Sequence, residues 1–174
     1  MIGEELPVED LPMAAPELAF AMSNVLAGRL VYVLGGRGKT PLLRALALSL
    51  YRAGLNPLYI KLEWIKYNWG INEYIHKYYN EHFKLTGYPA TRDYDVVIVD
   101  DGELLAQYPK VYSRLLQEAG PRIKAVAVRT ELYESIKQIL GEGIAIRIGQ
   151  EGGGRPKLPL GLTSIGRSVE IEII

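Results

Sequence analysis

The chain has no cysteine among its 174 residues, which removes disulfides, thiolate zinc sites and cysteine nucleophiles from consideration. It also has no net charge, with 20 Lys and Arg set against 20 Asp and Glu. A protein that binds nucleic acid through its own surface usually carries a basic surplus, and none is present. No apolar run approaches the roughly 18 to 20 residues of a membrane span. The opening MIGEELPVEDLP is acidic and proline-punctuated, unlike the basic-then-apolar layout of a secretory leader. Together these absences predict a cytoplasmic protein. Histidine is scarce: His76 and His82 fall on different faces of a predicted helix, with no third ligand in view, and give no metal site. Few Asn and Gln accompany the missing cysteine, a composition that suits a thermophile. The 48% of hydrophobic residues and the chain length suffice for one globular domain with a substantial core, and not for two ordinary ones.

The rest of the chain is organised around Leu30 to Arg52, LVYVLGGRGKTPLLRALALSLYR. An apolar run leads into a glycine-rich loop ending in Gly38-Lys39-Thr40 and then into a long apolar helix pattern, so it reads as strand, phosphate loop, helix. Glycines let a backbone wind around a triphosphate with N–H groups pointing inward. Lys39 can then reach the phosphates, and the Thr40 hydroxyl can hold Mg²⁺. The start of the helix adds its dipole. A loop written G-x-x-x-x-G-K-[ST] wants glycine at position 33, where this chain has Val33, while Gly35, Gly36 and Arg37 fill the turn as in variants written G-G-x-G-K-T. The competing reading is a glycine-rich turn that happens to contain Lys-Thr.

Ahead of this unit, residues 1–15 read as an acidic arm, and residues 16–174 as a single core domain. Pro16-Glu17 opens a helix that Gly28 stops. Behind the loop, Pro41 sits in the first helical turn, and Arg44, Ser49 and Arg52 leave only a thin polar stripe on a helix that must be covered on most sides. Leu58 to Leu62 is the next strand. Glu63 follows it, past a carboxyl end where ligand-facing groups gather; it can orient or deprotonate water there, or be a solvated acid. Residues 64–84 hold seven aromatics with Lys66, Lys77 and Lys84, which suits a protein interface, base stacking or core. A helix is expected over Ile71 to Phe83. Val96 to Val99 is a strand buried on both faces, ending in Asp100 and Asp101. Asp100 stands where a phosphate-loop enzyme puts the carboxylate that holds the metal with Thr40, and Asp101 is the alternative. Residues 103–119 read as helix broken near Pro109, Ala125 to Val128 as a strand, Glu131 to Leu140 as an amphipathic helix, and Ile144 to Ile148 as a strand. The glycine-rich residues 149–154 then turn the chain toward a partner strand over Val169 to Ile173.

In that order the parts resemble the RecA/RadA recombinase family, over roughly residues 24 to 174. LVYVLGGRGKT is similar to its phosphate-loop strand and turn, LYIKLE to its Y-I-D-T-E strand with the catalytic glutamate at Glu63, and VVIVDD to its metal-binding strand with Asp100 in the metal position. AVAVRTEL resembles its fourth strand, and IAIRIGQEGGGRPKLPL with VEIEII its closing β-pair. The resemblance implies an α/β fold of the RecA-like P-loop NTPase type, with a mostly parallel sheet flanked by helices and a hairpin-like carboxyl-terminal addition. It implies ATP bound at a subunit edge by Gly35, Gly36, Arg37, Gly38, Lys39 and Thr40, and Mg²⁺ held by Thr40 and Asp100. It implies work in homologous recombination or DNA repair.

Three departures shape the expectation: Val33 in the loop, Arg129-Thr130-Glu131 where the family writes T-N-Q, and no long loop after the fourth strand. The amino-terminal helical domain of full recombinases has no counterpart either. The chain therefore looks like a recombinase paralog, a slow Mg-dependent ATPase that assists a full-length recombinase or another repair protein in an oligomer, with direct DNA contact left open. Two alternatives stand beside it: a non-catalytic scaffold subunit, and a partitioning-type ATPase, whose G-G-V-G-K-T loop is similar but whose signature lysine is replaced here by Leu34.

Overall fold

A computed structural model describes residues 16–148 and 169–173. The expected acidic arm over 1–15 and the glycine-rich turn over 149–154 lie outside the described residues. Six strands form one sheet: β1 (Val31–Gly35), β2 (Pro57–Lys61), β3 (Val96–Asp100), β4 (Ile123–Val128), β5 (Ile144–Ile148) and β6 (Val169–Ile173), in the order β2-β3-β4-β1-β5-β6. The first five are parallel to one another, and β6 pairs antiparallel with β5. Parallel strands need covered faces, which is why β1 and β3 are continuous apolar runs instead of alternating ones.

The helices divide between the two faces. On one, α1 (Pro16–Leu26) and α2 (Lys39–Arg52) cover Val31, Val33, Tyr59, Ile98, Ala125 and Ile146. On the other, α3 (Ile71–Thr86), α5 (Ser113–Ala119) and α6 (Tyr133–Leu140) contribute Tyr74, Leu115 and Ile136 against Tyr32, Leu34, Ile60, Val97 and Val99. A four-residue α4 (Leu104–Gln107) precedes α5, so the helix expected over 103–119 is broken around Pro109 as its missing N–H requires. Strand β4 starts two residues before its expected Ala125, and α6 begins at Tyr133 after a 3₁₀ turn over Thr130–Leu132. Helix α3 runs three residues past Phe83 to Thr86, with a kink at Tyr78 (φ −113°, ψ 27°).

The thin polar stripe expected on α2 needs correction. Arg44 is 2% exposed, and its Nε donates to the Leu85 carbonyl at 2.8 Å. A guanidinium at that point satisfies a carbonyl in the last turn of α3, and its long stem packs with the apolar face.

Strand β2 is at one end of the sheet, and an unpaired edge invites pairing with other chains. Helix α3 closes it with side chains. The Tyr59 N–H donates to His82 Nε2 (3.1 Å), the Lys61 N–H donates to the Tyr74 hydroxyl (3.0 Å), and that hydroxyl donates to the Tyr59 carbonyl (2.9 Å). Among the described residues, no helix is long and apolar enough to cross a membrane.

Candidate functional site

The site follows from strand parity and strand order. Alternation along β3 sends Val96, Ile98 and Asp100 to the α2 face. From the end of β1 the chain crosses that face through α2 to reach β2, whereas from β4 it crosses the opposite face through α6 to reach β5. The connections diverge between the carboxyl ends of β1 and β4, and open parallel sheets bind ligands in the crevice such a divergence leaves. A cavity of about 260 Å³ opens there. It is lined by Gly36, Gly38, Lys39 and Thr40 from the loop side and by Asp100, Asp101 and Arg129 from the ends of β3 and β4.

The loop is tighter than the sequence pattern suggests. Val33 is fully buried inside β1, which continues to Gly35, so only residues 36–38 are free to curl. Gly35 has φ 129°, and a Cβ there would collide with the Ile148 carbonyl of the neighbouring strand, so this position admits no side chain. Gly38 caps α2 in the left-handed region at φ 92°. The first N–H groups of a helix have no acceptor within it, and those of α2 open beside the cavity. Lys39 curls back onto its own loop, with Nζ donating to the carbonyls of Gly35 (2.6 Å) and Gly36 (2.9 Å). Arg37 is exposed and is not part of the cavity wall.

Thr40 Oγ1 donates to Asp100 Oδ2 at 2.8 Å, joining positions sixty residues apart. Asp100 is 3% exposed. The same Oδ2 accepts from the Tyr59 hydroxyl at 2.9 Å, and Oδ1 accepts the Asp101 N–H at 2.8 Å. The Tyr59 phenol is held far above its usual range by burial and by the Asp100 charge, so it stays a donor. Asp101 has φ 61°, an uncommon backbone state for a residue with a side chain. Its carboxyl is pushed up to about 6, first by burial and then by the neighbouring Asp100 charge, with Lys61 opposing.

The structure brings Gly36, Gly38, Lys39, Thr40 and Asp100 to one cavity, and the Gly35 carbonyl accepts a hydrogen bond from the Lys39 ammonium. It does not bring Glu63 to that wall. Glu63 lies in a 3₁₀ turn over Leu62–Trp64 with its side chain 61% exposed. It borders a separate, mostly apolar cavity of about 380 Å³ with Ile65, Lys66, Leu104 and Tyr112. The link between the two cavities is Lys61, whose ammonium lies 3.5 Å from Glu63, 3.7 Å from Asp100 and 3.4 Å from Asp101.

The sequence alone does not single out Lys61, Tyr59 or Arg129 as site residues. Parity was the available signal: Tyr59 and Lys61 share one side of β2, and parallel register sets Lys61 opposite Asp100. Most of the aromatic run packs on itself, with Trp64 against Tyr74 and Tyr78, and Trp69 against Tyr67 and Tyr78. Tyr67, Tyr79 and Phe83 stay exposed. His76 is exposed and His82 is buried, on different faces as expected. No protein-family model matches the chain, and a search of curated proteins finds no match.

Proposed function

We propose that the chain binds ATP with Mg²⁺ at the loop between β1 and α2 and hydrolyses it slowly, as a RecA/RadA-like recombinase paralog with an accessory role in homologous recombination or DNA repair. The observation that carries the nucleotide part is the contact between Thr40 and Asp100 at 2.8 Å. It puts a hydroxyl and a buried carboxylate, both hard oxygen donors, beside a glycine turn that ends in lysine. That donor set suits Mg²⁺, which takes one or two carboxylates and completes its shell with water and phosphate oxygens. Among the described residues, no three His, Asp or Glu side chains are arranged to hold a metal by themselves, so the phosphates have to complete the set. When bound, the metal neutralises phosphate charge.

The chain's own groups do the rest. Lys39 exchanges the carbonyls of Gly35 and Gly36 for phosphate oxygens, and the first N–H groups of α2 supply further donors. Asp100 is kept aimed at Thr40 by the Tyr59 hydroxyl. The cavity of about 260 Å³ is below the roughly 300 to 1,000 Å³ of complete ligand pockets. It accommodates the phosphate chain, and the nucleoside lies outside it, at an edge that a second subunit or a recombinase partner covers. The role in repair rests on the family resemblance alone.

A second reading, a subunit that holds nucleotide without turning it over, is favoured by Glu63, whose carboxylate faces Lys61 and the neighbouring cavity. One experiment separates the two. Mg·ATP at 100 times its dissociation constant raises the unfolding free energy by about 2.7 kcal/mol; Lys39→Ala removes that gain, and Glu63→Gln keeps it while abolishing phosphate release. ATP affinity unchanged in the Lys39 variant overturns the nucleotide site. Absence of turnover in the wild type leaves the scaffold.

A further inference from the structure

The side of the loop cavity formed by the ends of β3 and β4 carries one cation, Arg129. Alternation along β4 sends Ala125 and Ala127 to the α2 face. Arg129 follows in extended backbone (φ −66°, ψ 143°), so parity turns its side chain toward the face that holds Asp100 and the loop. Gly102 lets the end of β3 come close. Its N–H donates to the Ala127 carbonyl at 2.8 Å, and a Cβ there would collide with that carbonyl and with Val126. The tight fit brings Glu103 against the end of β4, where its carboxylate accepts the Arg129 backbone N–H at 3.3 Å. The guanidinium itself is left over. Among the described residues it has no ion pair and no hydrogen bond, although Asp100, Asp101 and Glu103 line the same cavity.

We propose that Arg129 reads the terminal phosphate of the nucleotide and so makes the site prefer a nucleoside triphosphate to a diphosphate. The inference rests on the nucleotide-site reading above and adds a specificity-determining residue to it. Lys39 and the first N–H groups of α2 suffice for a diphosphate. A third phosphate brings further negative charge toward three acids, and the guanidinium offsets that repulsion. Its planar fork stays charged at any working pH and grips two phosphate oxygens at once, which a lysine at the same place cannot do.

The test measures the affinity of the full chain for Mg·ATP and for Mg·ADP, in wild type, Arg129→Ala, Arg129→Lys and Arg52→Ala. Because the readout is binding, it holds whether or not ATP is turned over. Wild type prefers ATP. In Arg129→Ala the ratio of ATP to ADP affinity falls about tenfold, the scale of one partly screened charge contact, through weaker ATP binding with ADP binding unchanged. Arg129→Lys regains part of the loss. Arg52→Ala removes the same charge from the last turn of α2 and leaves the ratio as it is. Without ligand all the variants melt like the wild type, since the guanidinium ties no element down; if Arg129→Ala does not fold, Arg129→Gln serves in its place. Equal losses of ATP and ADP affinity in Arg129→Ala, or a ratio that falls as far in Arg52→Ala, overturn the role of Arg129 while leaving the nucleotide site intact. A wild type that binds neither nucleotide overturns the nucleotide-site reading, and this inference with it.

Discussion

Strand β2 carries two polar clusters, one along its outer edge and one at its carboxyl end, and they are built on opposite rules. At the edge the groups are neutral, and those that meet the β2 backbone are matched. His82 accepts the Tyr59 N–H through Nε2, which requires the proton on Nδ1, and Nδ1 faces the Tyr88 carbonyl at 3.2 Å. Tyr74 both donates and accepts, and the Thr86 hydroxyl donates toward the carbonyls of His82 and Tyr88. At the carboxyl end three carboxylates share one ammonium, Asp101 has a positive φ, and its proton affinity is raised. Buried polar groups that only hold a fold together are satisfied locally. Strain and unbalanced charge persist where binding will relieve them.

The largest expected effect breaks the matched cluster. His82→Ala deletes a fully packed ring, leaves a cavity, and strips the Tyr59 N–H of its acceptor. Cavity and unmet donor together cost about 4 kcal/mol, read as a drop in the urea midpoint at pH 7. The edge of β2 becomes available for pairing, so the variant also aggregates at concentrations where the wild type is monodisperse. A loss below about 1 kcal/mol would mean that α3 does not close this edge.

The contrast also marks what the sequence makes legible. The parallel sheet, the glycine turn, the helix that follows it and the Asp100 strand end were readable, because each is a run of consecutive residues with one period. The meeting of Thr40 with Asp100 was readable too, because both lie at ends of elements whose order is constrained. The edge cluster was not. Nothing local tells that His82 faces a strand backbone instead of solvent, or that Arg44, on a helix that looks amphipathic by a thin margin, reaches the Leu85 carbonyl. Glu63 was legible in position, and the 3₁₀ turn after β2 that sets its carboxylate beside Lys61 was not. Lys61 carries no signal of its own in the sequence, and the register of β2 against β3 is what sets it opposite Asp100.

The two clusters should respond to acid with opposite signs. Burial pushes His82 down from 6.5 to about 4. The unfolded chain therefore binds a proton between those values that the fold refuses, and stability falls through that window as the pH drops, by about 3 kcal/mol. Asp101 is pushed up from 3.8 to about 6. Here the folded chain takes the proton first, so stability rises as the pH drops through roughly the same window, by an amount on the order of 3 kcal/mol. In the wild type the two trends offset each other. His82→Gln unmasks the gain and Asp101→Asn unmasks the loss, each relative to wild type, in urea midpoints measured at pH 6.5 and pH 4.5. Slopes that change in the same direction in both variants would contradict the assignment of one neutral and one charge-rich cluster.

The smallest effect tests the hinge between the clusters. Tyr59 belongs to both: its backbone is held by His82 and Tyr74, and its hydroxyl is one of two donors on Asp100 Oδ2. Tyr59→Phe leaves the edge untouched and removes a single hydrogen bond to a buried carboxylate, which costs about 1.5 kcal/mol and lowers the melting temperature by roughly 3 to 6 °C. Because Thr40 remains on Oδ2, the carboxylate stays anchored to the loop, and Mg·ATP recovers most of the lost stability. If the variant melts like the wild type without ligand and loses ATP affinity instead, the hydroxyl serves ligand binding and not the resting fold, and the division between a satisfied edge and a poised carboxyl end runs through Tyr59 itself.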